Sequence, residues 1–172
     1  MPWNVDASHS YVEFAVRHLG IATVRGYFGE VSGTLELRDG LPEAIQAQVP
    51  TASIEVRNAH RTQHMKGADF FDVEHHPEIT FRSRSAERLS PGRCRVVGDL
   101  TILGRTAPVT LEGEVSAEID DPWGNRRIGF GAHGVIDRRD FGMNWGTGAQ
   151  PGAGVVDTQV RITLDIEAVQ AK

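Results

Sequence analysis

Cys94-Arg95-Val96-Val97-Gly98-Asp99-Leu100-Thr101-Ile102-Leu103-Gly104-Arg105-Thr106-Ala107-Pro108-Val109-Thr110-Leu111-Glu112-Gly113-Glu114-Val115 is the stretch that decides the fold. Cys94, Val96, Gly98, Leu100 and Ile102 share one face of a strand. Val109, Leu111, Gly113, Val115 and Ala117 share one face of the next. A period of two sustained this long places every second side chain on the buried side of a sheet. Leu103-Gly104-Arg105-Thr106 joins the two runs as a tight hairpin, so they are antiparallel neighbours.

The same alternation extends toward the N-terminus. Ile79 and Phe81 alternate within Glu78–Arg82, and Ile45, Ala47 and Val49 alternate with Gln46 and Gln48 in a strand continuing toward Ile54. Val31, Gly33, Leu35 and Leu37 share a face, with Gly26 and Gly29 read as a bulge near the start of that run. Val12, Phe14 and Val16 face one way from Tyr11 to His18, with Tyr11, Glu13 and Arg17 facing the other. Toward the C-terminus, Asp120–Asn125 reads as a turn. Ile128, Phe130, Ala132, Gly134 and Ile136 then share a face, as do Val156, Thr158, Val160, Ile162, Leu164 and Ile166.

About eight strands at hairpin spacing with no βαβ rhythm make an all-β protein, either a closed antiparallel barrel or a sandwich. Gly33, Gly98, Gly113 and Gly134 fall on the inward parity, where a missing side chain leaves room for strong curvature or for a ligand. A barrel with an internal cavity is therefore expected.

One stretch does not alternate. Arg61–Pro77 reads as a short helix leading into a wide turn, and its Met65, Phe70 and Phe71 read as a plug or lid over an apolar cavity. The 172 residues are 40% hydrophobic, enough for one buried core, and a single domain over 1–172 is expected. Eighteen basic residues against twenty-three acidic ones, net −5, argue against a protein that neutralises many phosphates, so nucleic acid is excluded as a partner. No stretch is apolar for long enough to span a bilayer as a helix, and Met1–Asp6 has neither a basic nor an apolar signal region, so a cytoplasmic protein is expected. Cys94 is the only cysteine, which rules out an internal disulfide and a cysteine-based zinc site.

Candidate chemistry is sparse. His60 and His64 lie four apart on a helix, with Asp69, Asp72, His75 and His76 close in sequence, a set that could hold a metal. A helical zinc hydrolase would read His-Glu-x-x-His, and Arg61 stands where its base should be, so turn and capping hydrogen bonds are the expected role and no metal or other cofactor is expected. His9 adjoins Ser10, but neighbours in a strand point to opposite faces, and no Gly-x-Ser-x-Gly elbow occurs, so no catalytic residues are assigned. Gly142, Gly146, Gly148, Gly152 and Gly154 mark a mobile loop whose Met143 and Trp145 fold over the barrel mouth. Arg17, Arg25 and Arg82 could each meet a polar ligand head or simply be surface charge.

Trp3-x-x-Asp6-x-x-His9-Ser10-x-x-x-Phe14-x-x-x-His18, Gly26-x-Phe28, Asp69-Phe70-Phe71-Asp72 and His76-Pro77-x-Ile79-x-Phe81 stand in an order that resembles the YceI-like family of polyisoprenoid-binding proteins. Gly98-x-Leu100-Thr101-Ile102-x-Gly104-x-Thr106-x-Pro108-Val109 and Arg138-x-x-Phe141-Gly142-Met143 carry the resemblance over nearly the whole chain. It implies an extended lipocalin-like barrel, often a homodimer, holding an isoprenoid chain in an apolar tunnel without catalysis. Two departures are visible: no secretory signal is present, and Arg61-Thr62 replaces an Arg-Asp pair.

Parity and resemblance together give an isoprenoid or polyprenyl lipid carrier. Its tunnel is expected to be lined by Val12, Phe14, Val16, Phe28 and Ile79, and by Phe81, Leu100, Leu111, Ile128 and Phe130. Met65, Phe70, Phe71, Phe141 and Met143 are expected to gate it. The alternatives are an enzyme acting on such a lipid or another small apolar substrate, and a structural interaction domain. The near absence of ionisable residues on the inward parity favours the carrier.

Overall fold

The computed structural model of the chain describes residues 2–147 and 154–170. Eleven of the twelve strands build eight staves, because three of the staves consist of two strands in line. These are β1 (Trp3–Val5) with β2 (Tyr11–His18), β3 (Ala22–Phe28) with β4 (Ser32–Arg38), and β5 (Leu41–Pro50) with β6 (Ile54–Val56). The remaining five are β7 (Glu78–Ser90), β8 (Arg93–Ile102), β9 (Arg105–Val115), β11 (Arg126–Asp137) and β12 (Val156–Gln170), while β10 (Ile119–Asp120) is a short flap on β11. Every pairing is antiparallel. The ladder from Arg127↔Val169 to Asp137↔Gln159 closes β11 on β12, so that the eight staves form a closed barrel in which the three-residue β6, paired with β3 alone, keeps one unpaired side.

The three composite staves break at one level. Between β1 and β2, Asp6 caps a short 3-10 turn (Ala7–His9) by accepting from the Ser8 amide. Buried Ser10 then takes the place of the missing ladder: its Oγ donates to the Glu167 carbonyl at 3.2 Å and accepts from the Glu167 amide at 3.0 Å. At the β5–β6 break, buried Thr51 donates through its amide to the Pro77 carbonyl and through Oγ1 to the His76 carbonyl. That anchors the end of the non-strand segment. The segment begins as α1 (Ala59–Lys66), whose N-cap Asn58 accepts from the Arg61 amide. Thr62 ties the helix to β6 by bonding both the amide and the carbonyl of Val56.

Two expectations need correction. Gly26 is not part of a bulge: β3 pairs with β2 without interruption from Val12↔Phe28 to His18↔Ala22, and a Cβ at Gly26 would overlap the Phe14 ring. The bulge in this stave lies between Thr34 and Glu36. Nor do the inward glycines leave space for a ligand. A side chain at Gly98 would strike the Phe81 ring and the Arg82 carbonyl, and one at Gly113 the backbone of Gly131 and Ala132. These glycines let neighbouring staves approach closely, which is the curvature half of the expectation. The β8–β9 hairpin turns on Leu103 (φ 55°) and Gly104 (φ 71°), the two left-handed residues a two-residue turn requires.

Inside, the alternation builds two apolar clusters. The larger surrounds Phe14, Phe28, Phe71, Leu100, Leu111 and Phe141 in the upper part, taken as the end carrying α1. The smaller, Trp3, Leu35, Ile128 and Ala168, is packed around by Leu37, Ile45, Val115 and Phe130 in the lower part.

Candidate functional site

The larger cluster surrounds an elongated cavity of about 410 Å³, within the range of small-molecule sites. Its wall on β12 runs from Val156 to Ile166, ten residue steps, or about 33 Å of strand. At a barrel tilt of about 40° that is roughly 25 Å along the axis. The wall is apolar nearly throughout. Val12, Phe14, Val16, Phe28, Ile79, Phe81, Leu100, Leu111 and Phe130 all line it, brought together from six of the eight staves. Ile128 does not: it is buried in the lower cluster against Trp3, Leu35 and Ala168, below the tunnel floor.

Met65, Phe70, Phe71, Phe141 and Met143 line the upper end. Phe28 packs at a tilt against Phe14 (ring centroids 5.8 Å apart) and meets Phe71 edge-on at 5.3 Å. Trp145 packs on Phe70 at 5.6 Å and edge-on against His64 at 5.3 Å, completing an aromatic roof. The loop expectation thus has Met143 and Trp145 over the mouth, whereas its Gly148 and Gly152 lie outside the described residues. Asp69 holds the roof histidine, with its Oδ2 2.8 Å from His64 Nε2.

Few polar groups reach this surface. Arg17, His18 and Arg61 line the upper mouth beside His64. Arg25 and Arg82 do not line the cavity and are exposed. Arg138, 2% exposed, is the one buried guanidinium among the described residues. Its Nε, Nη1 and Nη2 donate to the carbonyls of Asp157, Met143 and Val156 at 2.9, 2.8 and 3.0 Å, pinning the roof turn to the start of β12. Burial lowers its pKa from the ordinary value, opposed by the nearby charges of Asp137 and Asp157. Sequence reasoning assigned no role to Arg138. The only hint for Arg138 was its place in the Arg138-x-x-Phe141-Gly142-Met143 motif.

A model of the YceI-like domain matches residues 3–168. The chain belongs to the YceI-like family. It is 34% identical over 169 residues to Protein YceI of Escherichia coli O157:H7, covering 97% of this chain and 85% of that protein. A UPF0312 protein of Yersinia pestis (strain Pestoides F) is 32% identical, with 97% and 84% covered. Among solved structures, Burkholderia cenocepacia BcnA superposes with a TM-score of 0.81 at 23% identity, covering 95% of this chain and 98% of that one. A polyisoprenoid binding domain from Saccharophagus degradans gives 0.71 at 14% identity, with 98% of each chain covered. These likenesses show that the fold is the YceI-like barrel.

In this YceI-like chain the histidines near α1 do not converge on a metal site: His64 bonds Asp69 and His75 bonds Asp72. Among the described residues, one trio has donor atoms close enough to share an ion, Asp6, His9 and Glu167, at the β1–β2 break. A cation already occupies the centre of that group. Arg127 Nη1 lies 2.7 Å from Asp6 and 2.6 Å from Glu167, and its Nε lies 2.6 Å from Asp121. Hydrogen bonds from Ser8, Arg127 and His9 hold the Asp6 carboxyl well below the usual carboxylate range. Burial would raise Asp121, but bonds from Arg127, Asn125 and Trp123 outweigh it and lower its pKa. The hydrogen bond to Asp6, with the charge of Glu167, raises His9. The donor set fits an arginine, and the trio serves as an ion-paired clamp.

Proposed function

We propose that this barrel binds an isoprenoid or polyprenyl-chain lipid in its tunnel, for storage or transport, and does not transform it. The observation that carries this reading is the length and uniform apolarity of the cavity, which suit a long, thin, unbranching path for a hydrocarbon chain. The similar Saccharophagus degradans structure, described as a polyisoprenoid binding domain, supports the same ligand class. Each five-carbon unit withdrawn from water contributes on the order of 3 to 4 kcal/mol gross. A rim arginine adds only about 0 to 1 kcal/mol to an exposed head group. Tail burial therefore dominates affinity, even after association and ordering costs.

An enzyme acting on such a lipid would need convergent polar groups against the reacting atom. The groups that reach the wall are instead spread over its length. Arg17, His18, Arg61 and His64 sit at the mouth, Arg138 is consumed by three carbonyls, and Cys94 and Glu114 lie near the floor. Burial pushes the Cys94 thiol up, away from the reactive thiolate. Lipid extraction and mass spectrometry of the purified protein test the proposal. A co-purifying prenyl-chain compound is expected, and a reproducibly different ligand class in the tunnel would overturn the assignment.

The same reading includes a homodimer, which exposed Tyr11 and Tyr27 on the outer faces of β2 and β3 could serve. Light scattering is expected to give twice the chain mass, and a mass of one chain at micromolar concentration would exclude it.

A further inference from the structure

Two turns at opposite ends of the barrel carry exposed apolar side chains. At the upper end the β2–β3 turn presents Leu19 (54% exposed) and Ile21 (79%). At the lower end β10 and the turn after it present Ile119 (60%) and Trp123 (79%). Neither Leu19 nor Ile21 packs against either core cluster. Leu19 also has φ 52°, a left-handed conformation that suits Gly, Asn or Asp and is unfavourable for a bulky apolar residue. Leu103 tolerates a similar φ of 55°, but it packs onto the upper core. Leu19 gains nothing of that kind from the fold.

Charge separates the two tips. Residues 17–25 and 57–66 carry Arg17, Arg25, Arg57, Arg61 and Lys66 and no Asp or Glu, in a chain whose net charge is −5. The two segments are neighbours, because β3 and β6 pair through Gly26↔Val56. None of these five cations forms an ion pair among the described residues. Arg17 donates only to Thr23 Oγ1 and the Gly20 carbonyl, bonds that brace the turn itself. The lower tip instead carries Asp120 beside Glu118 and Asp121, which are paired with Arg126 and Arg127, and so has no free cation cluster among the described residues. Arg17, His18 and Arg61 also line the tunnel, so the cationic lip and the mouth are continuous.

The geometry points to an anionic lipid bilayer as the partner of this lip. Leu19 and Ile21 enter the boundary between head groups and acyl chains, and the five cations face anionic head groups. Docking in this way sets the tunnel mouth against the membrane and gives a tail a path between barrel and bilayer that avoids water. The purpose of docking rests on the lipid-binding reading above, but the docking itself does not depend on tunnel occupancy.

Sedimentation of the full chain with vesicles tests it, using phosphatidylcholine alone and phosphatidylcholine mixed with phosphatidylglycerol. Binding is expected only to the mixed vesicles and should weaken as salt rises. It should fall on the order of tenfold or more in a Leu19→Ser/Ile21→Ser variant and in an Arg25→Glu/Arg57→Glu variant, at about fivefold per cation removed. An Ile119→Ser/Trp123→Ser variant should bind like the wild type. All six side chains are outside the core, so thermal unfolding should stay unchanged and extracted lipid should be the same. Equal sedimentation with both vesicles, or a Leu19→Ser/Ile21→Ser variant that sediments like the wild type, overturns the docking. So does capture of a protein by this lip without vesicle binding. Empty tunnels with vesicle binding intact would instead count against the lipid-binding reading alone.

Discussion

The upper and lower parts of the barrel share staves and inward alternation, yet the upper part encloses a tunnel and the lower part is filled. The wall residues surround a cavity that reaches down to Leu35, Ile45 and Phe130 at the edge of the lower cluster, and its roof is made of separate pieces: α1, the 67–77 turn and the Phe141–Trp145 segment. Below the cavity, the Trp3 ring on a three-residue strand fills the interior against Leu35, Ile128 and Ala168, and the Arg127 clamp ties β1, β11 and β12 together outside it. Alternation therefore tells which side chains point inward, whereas the size of a few residues decides whether the inside is hollow. In this account the upper part serves binding and the lower part serves stability.

Substitutions can break that division, and the largest effect belongs in the tunnel. Phe14→Asp or Phe81→Asp places an unpaired carboxylate on the cavity wall. Mass spectrometry of extracts from either variant should find lipid retention abolished. Charged variants that fold normally and keep the same lipid would move the binding site elsewhere.

Trp3→Ala probes the filled part. Trp3 is 2% exposed, and truncating a buried aromatic costs about 3 to 5 kcal/mol. Chemical denaturation should show a loss of that size while extracted lipid is retained. Lipid loss without destabilisation would reverse the assigned roles.

The clamp gives a pH dependence. Asp6 is lowered by its bonds to Ser8, Arg127 and His9. Its contribution to stability is therefore complete above the unfolded carboxylate value of about 3.9 and is lost as pH falls through the depressed folded value. His9 is raised by Asp6 and Glu167, so its contribution is complete below about 6.5 and is lost as pH rises through the raised value. Both act together between about pH 4 and 6.5. The urea midpoint of Asp6→Asn should fall furthest below the wild type in that window, and the gap should narrow in stronger acid. A pH-independent gap would remove ionisation from the explanation. The smallest effect is expected at the rim: Arg17→Ala should weaken lipid retention by about 0 to 1 kcal/mol, measurable as a modest rise in a titrated Kd.

Much of the barrel was legible because one-sided burial writes itself into period two, as in Cys94–Ile102 and Val109–Val115. What failed depended on non-local neighbours. In β3 the inward positions are Val24, Gly26 and Phe28, and the central one is glycine because the Phe14 ring of the adjacent stave lies across it, so no apolar run announced a strand. Ile128 points inward as expected, but its level along the axis is fixed by the pairing Ile128↔Ala168, which puts it below the tunnel. Arg138 is buried on three backbone carbonyls, partners that leave no side-chain signature in a sequence. The eight strands read from the sequence correspond to the eight staves, and the pieces of composite staves that went unread are β1, only three residues long, and the glycine-interrupted β3.

The division between hollow and filled parts is tested most directly by photo-crosslinking with a prenyl-chain probe bearing a diazirine at its tail end, followed by peptide mapping. Adducts are expected on tunnel-wall residues such as Phe81, Leu100, Leu111 and Leu164, with none on Trp3 or Ile128. Adducts confined to the outer face around Tyr11 and Tyr27, or on Trp3 and Ile128, would contradict the account.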